Sequence, residues 1–469
     1  MKNTLKNTQL SLQISDLSFD GQGIARLGRD VYFVAGALPG EQVTARLKER
    51  RKKIWFCELV SIEQPSEQRQ SPPCPHYERC GGCDLQHLQD AAQVEFKQAR
   101  VMRELERKSL SVEQWLPAVT AAAWHYRRRA RLGVRFSKDK EKVYIGFREA
   151  NNVHLAEIDQ CPVLVEHPAL NWQDWSQRLV SLECRARVTQ IEMLQAENRL
   201  VLVFRVLKQL SSADRALFRQ WANELDIDIY CRPDEGELLA LSENQPLYHQ
   251  VMGHKLNIHP DYFVQVNESV NQKMVSQALS WLDLPAGSKV WDLFAGHGNF
   301  SVPMAVENQV HAVEVSEEMV AALRSHAQSI AGQSAGAQLI AHKADLSDSD
   351  SLKQLPDADF VLLDPPRAGA AETIEAILAQ APKRILYVSC DAATLSRDLV
   401  ALTQGPYCIR KAGILDMFPN THHVETMVLL EAVASQDKKQ DKKRLSQRGG
   451  LKKPPLKSLH RRNRGASRG

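Results

Sequence analysis

Four short apolar runs in the last third of the chain each stop on residues that carry chemistry. They are Val290-Trp-Asp-Leu-Phe-Ala-Gly-His-Gly-Asn299, Val310-His-Ala-Val-Glu314, Phe360-Val-Leu-Leu-Asp-Pro-Pro-Arg367 and Ile385-Leu-Tyr-Val-Ser-Cys-Asp391. Runs of this length, rich in β-formers and separated by helix-length stretches, predict the parallel strands of an α/β sheet. Ligands of such a sheet bind beyond the carboxyl ends of its strands, so the residues that end these runs are expected to face one cleft. A lone Cys is more often a small buried hydrophobe. Directly after a strand and beside acidic strand ends, Cys390 is instead the candidate nucleophile.

The cleft so defined suits a nucleoside. Gly296 and Gly298 let backbone amides approach a ligand, although a lone Gly-x-Gly occurs in many turns. Asp292 precedes the pair, and Glu314 ends the next strand, where an acidic side chain commonly holds a ribose diol. Asp345 falls at the third strand end and fits an adenine-side contact. The third glycine of the dinucleotide fingerprint is replaced by Ser301, so no pyrophosphate is expected and S-adenosylmethionine is the natural cofactor. After Asp364-Pro-Pro comes Arg367, where enzymes that methylate exocyclic amines carry an aromatic ring. Methylation at carbon 5 of a pyrimidine has other needs. That carbon is not nucleophilic until a thiolate adds to carbon 6, and a base must then remove its proton. Cys390 can supply the thiolate and Glu425 the base, with His422 and His423 as competing bases.

Upstream, residues 10–63 alternate β-forming runs with turn signals, about five strands in all, which predicts a small closed barrel of oligonucleotide-binding type. The pattern resembles a TRAM domain, an RNA-binding barrel. Its run Arg-Leu-Lys-Glu-Arg-Arg-Lys-Lys (46–53) lies near Tyr32, Phe33 and Trp55; such a run is usually a solvated hairpin but can hold a nucleic-acid backbone. A polar linker (64–73) leads to Cys74, Cys80 and Cys83, at metal-ligand spacing, with Cys161 the best fourth thiol. Zinc and an iron–sulfur cluster both accept four thiolates. The spacing departs from that of radical enzymes that cleave S-adenosylmethionine, which favours a structural or RNA-positioning role. Cys57, Cys184 and Cys231 sit in apolar or mixed segments and read as structural.

Residues 89–109 have helical periodicity, and Trp124-His-Tyr-Arg-Arg-Arg-Ala-Arg-Leu-Gly-Val-Arg135 follows. Alternation along Arg127, Arg129, Arg131 and Arg135 would line one strand face with guanidinium groups suited to phosphates and bases. The net charge of +4 is unevenly placed: residues 436–469 hold 13 Lys and Arg against 2 Asp, which leaves residues 1–435 net negative. That tail lacks apolar periodicity and is expected to be disordered and drawn to polyanions. No apolar run reaches the roughly 18 residues of a membrane helix. The first residues lack an apolar signal region, so a cytoplasmic chain with reduced thiols and no membrane partner is expected.

Phe263-Val-Gln265-x-Asn267, Asp292-Leu-Phe-Ala-Gly-x-Gly-Asn-Phe300, Asp364-Pro-Pro-Arg367, Ser389-Cys390-Asp391 and His423-Val-Glu425 together resemble the RNA uracil-5-methyltransferase family over residues 10–430. The barrel and thiols most resemble its ribosomal branch, which methylates 23S RNA. The resemblance implies Cys390 as nucleophile and Glu425 as base. It implies Gln265, Phe294, Asn299, Glu314, Asp345 and Asp364 around S-adenosylmethionine and the base. Cys74, Cys80, Cys83 and Cys161 would hold a [4Fe-4S] cluster. The expected architecture is multidomain α/β: a TRAM-like barrel (1–63), a cluster-bearing central RNA-binding α/β domain (64–256), a Rossmann-like methyltransferase domain (257–435) and a basic tail (436–469). The partner implied is 23S ribosomal RNA, with no obligate protein partner. The same chemistry on transfer RNA or on another 23S uridine is the alternative. A non-catalytic RNA-binding protein would leave Cys390, Asp364 and Glu425 without a purpose, and a redox enzyme would need a second redox cofactor that no motif supplies.

Overall fold

The computed structural model describes residues 7–150, 153–234, 236–331, 337–348 and 350–433. The basic tail therefore lies outside the described residues. Six strands come first: β1 (Gln9–Gln13), β2 (Asp16–Leu17), β3 (Gly23–Leu27), β4 (Asp30–Val34), β5 (Gln42–Arg51) and β6 (Ile54–Gln64). They form one sheet in the order β1-β5-β6-β4-β3-β2. Period-two alternation turns Val43, Ala45 and Leu47 of β5 inward, where they meet Leu12, Tyr32, Val34 and Trp55 in one core.

The sheet wraps this core, yet among the described residues β1 and β2 do not pair, so the closed barrel expected from the sequence is not formed. The reason is local. β2 is two residues long, and the link before it satisfies its own amides: Ile14 N–H donates to Glu41 O and Ser15 N–H to Ile24 O. In the basic hairpin, Arg46 and Lys48 pair with Glu58, Arg50 with Asp30 and Arg51 with Glu49, which removes much of its free charge.

Helix α1 (Asp90–Arg107) and strand β7 (Val112–Trp115) come next. The central sheet contains β8 (Arg129–Ser137), β9 (Lys142–Arg148), β10 (Leu155–Glu157), β11 (Val188–Gln195), β12 (Leu200–Val206), β13 (Asp228–Pro233) and β14 (Leu239–Ala240), in the order β10-β9-β8-β11-β12-β13-β14. Helices α2 (Trp172–Val180) and α3 (Ser212–Leu225) bury Trp172, Trp175, Phe218 and Trp221 against it. The arginine face expected here is only partly free. Arg129 donates to the carbonyls of Tyr262 and Pro260, and Arg128 Nε to that of Gln265 at 2.8 Å. Arg131, more exposed, faces Glu192 at 3.3 Å.

A hairpin of β15 (Leu247–Val251) and β16 (His254–Ile258) and helix α4 (Glu268–Leu282) lead into the last sheet. Its elements are β17 (Lys289–Leu293), α5 (Ser301–Met304), β18 (Gln309–Glu314), α6 (Glu317–Ile330), β19 (Gln338–Lys343), β20 (Phe360–Leu363), α7 (Ala371–Gln380), β21 (Arg384–Ser389), α8 (Ala392–Gln404), β22 (Tyr407–Leu415) and β23 (Glu425–Ala432). The order is β19-β18-β17-β20-β21-β23-β22-β7, parallel from β17 through β21 with β23 antiparallel between β21 and β22. The switch of direction beside β17 opens the cleft expected of such sheets. Strand β7, placed by sequence in the central domain, pairs with β22 instead. Residues 112–115 thus belong to the last sheet. No helix among the described residues is long and apolar enough to cross a membrane.

Helix α1 fastens this sheet to the rest. Gln93, Lys97 and Arg100, spaced four and three apart and so on one helix face, are all buried. Gln93 accepts from Asn420 N–H at 2.8 Å, and Lys97 Nζ donates to Asp416 Oδ1 at 2.6 Å and to Phe418 O at 3.0 Å. One Arg100 nitrogen donates at 2.7 Å to both Phe19 O and His422 O. Lys97→Met strands Asp416 as a buried, unpaired carboxylate, so stability should fall by about 3–5 kcal/mol. Adding Asp416→Leu should recover most of that loss in the same denaturant titration.

Candidate active site

Strand register brings the reacting groups together. Leu363 of β20 lies opposite Tyr387 of β21, and Ser389 of β21 opposite Thr426 of β23. One step further along the same register sets Cys390 across from Glu425 on neighbouring strand ends, with Asp364 on the other flank. Cys390 is half-buried just before α8, whose N-cap Asp391 accepts from Ala393 N–H at 3.0 Å and Thr394 N–H at 2.9 Å. Burial and the carboxyls of Glu425 and Asp364 push the thiol up to about 11, against an opposing pull from Arg367. Glu425 is buried and raised to about 8, first by desolvation and then by Asp364, with Arg367 again opposing. Asp364 is raised to about 7 by burial alone. The resting site is therefore a protonated thiol beside carboxyl groups that titrate close to neutrality.

The competing histidines are placed for other work. Burial, His422 and Arg367 lower His423 to about 4, too weak a base near neutral pH to rival Glu425. His422 Nδ1 is hydrogen-bonded to Asp84 Oδ2.

On the cofactor side, Asp292 is buried at the end of β17, bonded to Ser301 Oγ and raised to about 7 by desolvation. Phe294 lies directly after β17 in the left-handed region at φ 62°, a conformation costly for a side chain with a Cβ and characteristic of functional loops. Gly298 has φ 107° and no room for a Cβ, which would meet Val302 at 3.1 Å; at Gly296 nothing lies closer than 4.0 Å, so its face is open. Glu314 is committed locally, accepting from Gly296 N–H at 2.9 Å, Val315 N–H at 2.9 Å and Ser316 N–H at 3.0 Å. It ties the glycine loop to the second strand. Asn299 forms a reciprocal amide pair with buried Asn271 at 2.8 and 3.0 Å. Gln265 is half-buried, its carbonyl held by Arg128, and Asp345 is exposed with Ser347 on its carboxylate.

The four thiols expected to act together do line one cavity, of about 220 Å³, with Tyr126, Phe147 and Leu164. Gly81 N–H donates to Arg148 O of β9 at 2.8 Å, and His76 Nε2 bonds Asp159 Oδ1 at 2.6 Å, which brings the Cys80 loop to Cys161. Burial raises Cys80 to about 11 and Cys83 to about 12, and the neighbouring thiols add to both shifts. Among the described residues no three His, Cys, Asp or Glu side chains stand as ligands of one metal ion.

Several residues that build the site carry little signal in the sequence. Arg128 holds the Gln265 segment, while Asp84, Gln93 and Lys97 hold the loop before Glu425. For Gln93 and Lys97 the one signal is polar residues at helical spacing within an otherwise apolar face of α1; Asp84 and Arg128 lie off that helix and carry none. Val315, exposed directly after Glu314, adds apolar surface at the second strand end.

Comparison with known proteins gives the family and the fold. A model described as tRNA (uracil-5-)-methyltransferase matches residues 89–433, and a TRAM domain model matches residues 5–60. A 23S rRNA (uracil(1939)-C(5))-methyltransferase of Shewanella amazonensis is 40% identical, the match covering 91% of this chain and 96% of the relative. One from Pectobacterium atrosepticum is 38% identical over 90% and 93% of the two chains. The fold is shared with the tRNA (uracil-54, C5)-methyltransferase of Pyrococcus abyssi, solved with S-adenosyl-L-homocysteine: TM-score 0.70, 23% identity, covering 90% of this chain and 99% of that one. With that model spanning most of its length, the chain belongs to the tRNA (uracil-5-)-methyltransferase family.

Proposed function

We propose that the chain methylates carbon 5 of a uridine in 23S ribosomal RNA, the target in its relatives' names, with S-adenosylmethionine as donor. The observation that carries the chemistry is Cys390 set across from Glu425 beside Asp364. Cys390 gives its thiol proton to solvent, and its sulfur bonds carbon 6 of the uracil as the carbon 5–carbon 6 double bond opens, which moves electron density through carbon 5 onto the O4 side. S-adenosylmethionine supplies an electrophilic methyl group for carbon 5. Glu425 then takes the carbon 5 proton, and re-forming the carbon 5–carbon 6 double bond expels the Cys390 thiolate. A carboxyl poised near 8 suits the task, since a base works best when its pKa lies near the operating pH. Asp364, close to both groups, would hold the uracil edge.

For the cofactor, Gln265, Phe294, Asn299, Glu314 and Asp345 would be the residues that hold it, beside the open face of Gly296 and the exposed Val315. For the four thiols, a polynuclear cluster fits better than zinc. Zinc would draw all four sulfurs to about 2.3 Å from one ion, whereas a [4Fe-4S] cluster gives each thiolate its own iron around a cavity. Held by Cys74, Cys80, Cys83 and Cys161, it would clip two distant chain segments.

Methyl transfer from labelled cofactor to RNA of a strain lacking the protein, with subsequent mapping of the modified base, tests the reading. Cys390→Ala should bind RNA and cofactor yet show neither methylation nor cross-linking to 5-fluorouridine RNA; wild-type turnover would end the covalent mechanism. Glu425→Gln should accumulate a methylated protein–RNA adduct that survives denaturation. The same substitution should change stability with a definite sign. Glu425 binds its proton more tightly folded, at about 8, than at its ordinary value of 4.5. Its burial thus costs nothing below the lower value and costs progressively more as pH rises through the higher one. Thermal midpoints of Glu425→Gln and the unsubstituted chain should nearly coincide at about pH 5 and separate in the variant's favour by about pH 9. Finally, anaerobically purified protein should contain iron and sulfide, and Cys161→Ser should lose the brown colour; stoichiometric zinc would contradict this.

A further inference from the structure

Four rings run from the surface of the N-terminal sheet to the catalytic loop. Phe19 lies 6.1 Å from His422, His422 lies 4.3 Å from His423, and His423 lies 5.8 Å from Phe418, all centroid to centroid. Glu425 comes two residues after His423. A guanidinium stands at each end: Arg100 is 4.0 Å from the Phe19 ring and Arg127 is 6.0 Å from the Phe418 ring.

Phe19, the outermost ring, is 53% exposed. Its turn is nevertheless rigid. Ser18 N–H donates to Gln22 O at 2.8 Å, Gln22 N–H to Ser18 Oγ at 2.9 Å, and Gly21, at φ 78°, sits so close to Leu85 that a Cβ would meet it at 2.8 Å. The Arg100 nitrogen that holds Phe19 O also holds His422 O, so the turn is registered against the loop of the catalytic base. An exposed apolar ring on a pre-set turn contributes nothing to the core. It is instead what stacking on a base requires: a fixed π-face with cations beside it.

The geometry points to the row Phe19, His422, His423 and Phe418 as a stacking platform for the bases that flank the target uridine, with Phe19 at its outer end. This rests on RNA being the substrate. Flipping a uridine into the site breaks its stacking, and neighbours seated on rings would recover part of that cost. Single-stranded RNA is favoured over a protein partner because the rings continue directly into the catalytic loop, where the reacting nucleotide must be.

The test uses the full chain and a 23S rRNA fragment containing the target, intact or with one abasic nucleotide at a time on either side. Phe19→Ala keeps the backbone carbonyl that Arg100 needs and loses only the ring's contact with that guanidinium, so thermal stability should fall slightly and cofactor binding stay unchanged while RNA binding weakens about tenfold. Phe19→Trp should retain binding. One abasic RNA should show the same loss with the unsubstituted chain and lose nothing more with Phe19→Ala. Unchanged binding of every RNA by Phe19→Ala overturns the platform, as do losses that multiply at every abasic position. A defect seen only with ribonucleoprotein particles overturns it in favour of a protein contact. RNA binding is read without turnover. If the unsubstituted chain binds this RNA but leaves uridine carbon 5 unmethylated, the function proposed above fails while the comparison still decides the role of Phe19; if it binds no RNA, both fail.

Discussion

The architecture depends on three buried polar side chains in one row on α1. A helix that packs between two bodies ordinarily presents apolar residues to both, yet Gln93, Lys97 and Arg100 are turned toward the loop between β22 and β23. That loop has no secondary structure of its own, and its carbonyls would be buried without partners if the helix face were apolar. The row satisfies two of them, Phe418 O through Lys97 and His422 O through Arg100, while Gln93 accepts from the Asn420 N–H. Burying an ammonium at 0% side-chain exposure is costly, and it is tolerated because Asp416 accepts from it at 2.6 Å. The consequence is positional. The loop delivers Glu425 to the first position of β23, so the reach of three side chains on α1 fixes the base relative to Cys390.

At the site itself the electrostatics run opposite to those of a free-standing thiol nucleophile. A helix N-terminus should favour a thiolate, but Cys390 is pushed up because burial and two carboxyls outweigh it. Such a thiol is inert until something changes around it. Entry of a cationic sulfonium beside the carboxyls would oppose their effect on the thiol. The same crowding explains why His423 is a poor base here: Arg367 and His422 already hold positive or potentially positive charge against it.

The parts legible in the sequence were those written in consecutive residues. Apolar runs ending at Asp292, Glu314, Asp364 and Cys390 revealed the parallel sheet and the end at which chemistry occurs, because the side-chain pattern and the strand are the same object. The gathering of Cys74, Cys80, Cys83 and Cys161 was legible from spacing and residue type. Long-range pairing was not. Nothing in Val112-Glu-Gln-Trp115 says that it joins β22, since a four-residue strand can extend any open edge. Nor does alternation along Arg127, Arg129 and Arg131 say which guanidiniums are free; Arg129 is consumed by carbonyls more than 130 residues away in sequence. The open edge of the N-terminal sheet was equally hidden, because it depends on where two amides beside β2 find acceptors.

The thiol cavity meets the loop before Glu425 through two of its lining residues, Tyr126, whose hydroxyl donates to Pro419 O at 3.1 Å, and Arg127 beside Phe418, and through three consecutive residues that start at Cys83. Cys83 lines the cavity. Asp84 and Leu85 both donate their N–H groups to Asn420 O at 3.1 Å, and the Asp84 carboxylate holds His422. Leu85, fully buried, fills the space under Gly21 of the N-terminal sheet. One turn therefore touches the cavity, the catalytic loop and the ring-bearing turn at once. Left to itself, a turn of this kind would be held by a few hydrogen bonds after a long polar linker. Joining Cys83 to Cys161 through a shared ligand closes a long loop, and the entropy of that closure grows only slowly with its length. Were the proposed cluster bound, its bond to Cys83 would fasten the turn that makes all three contacts.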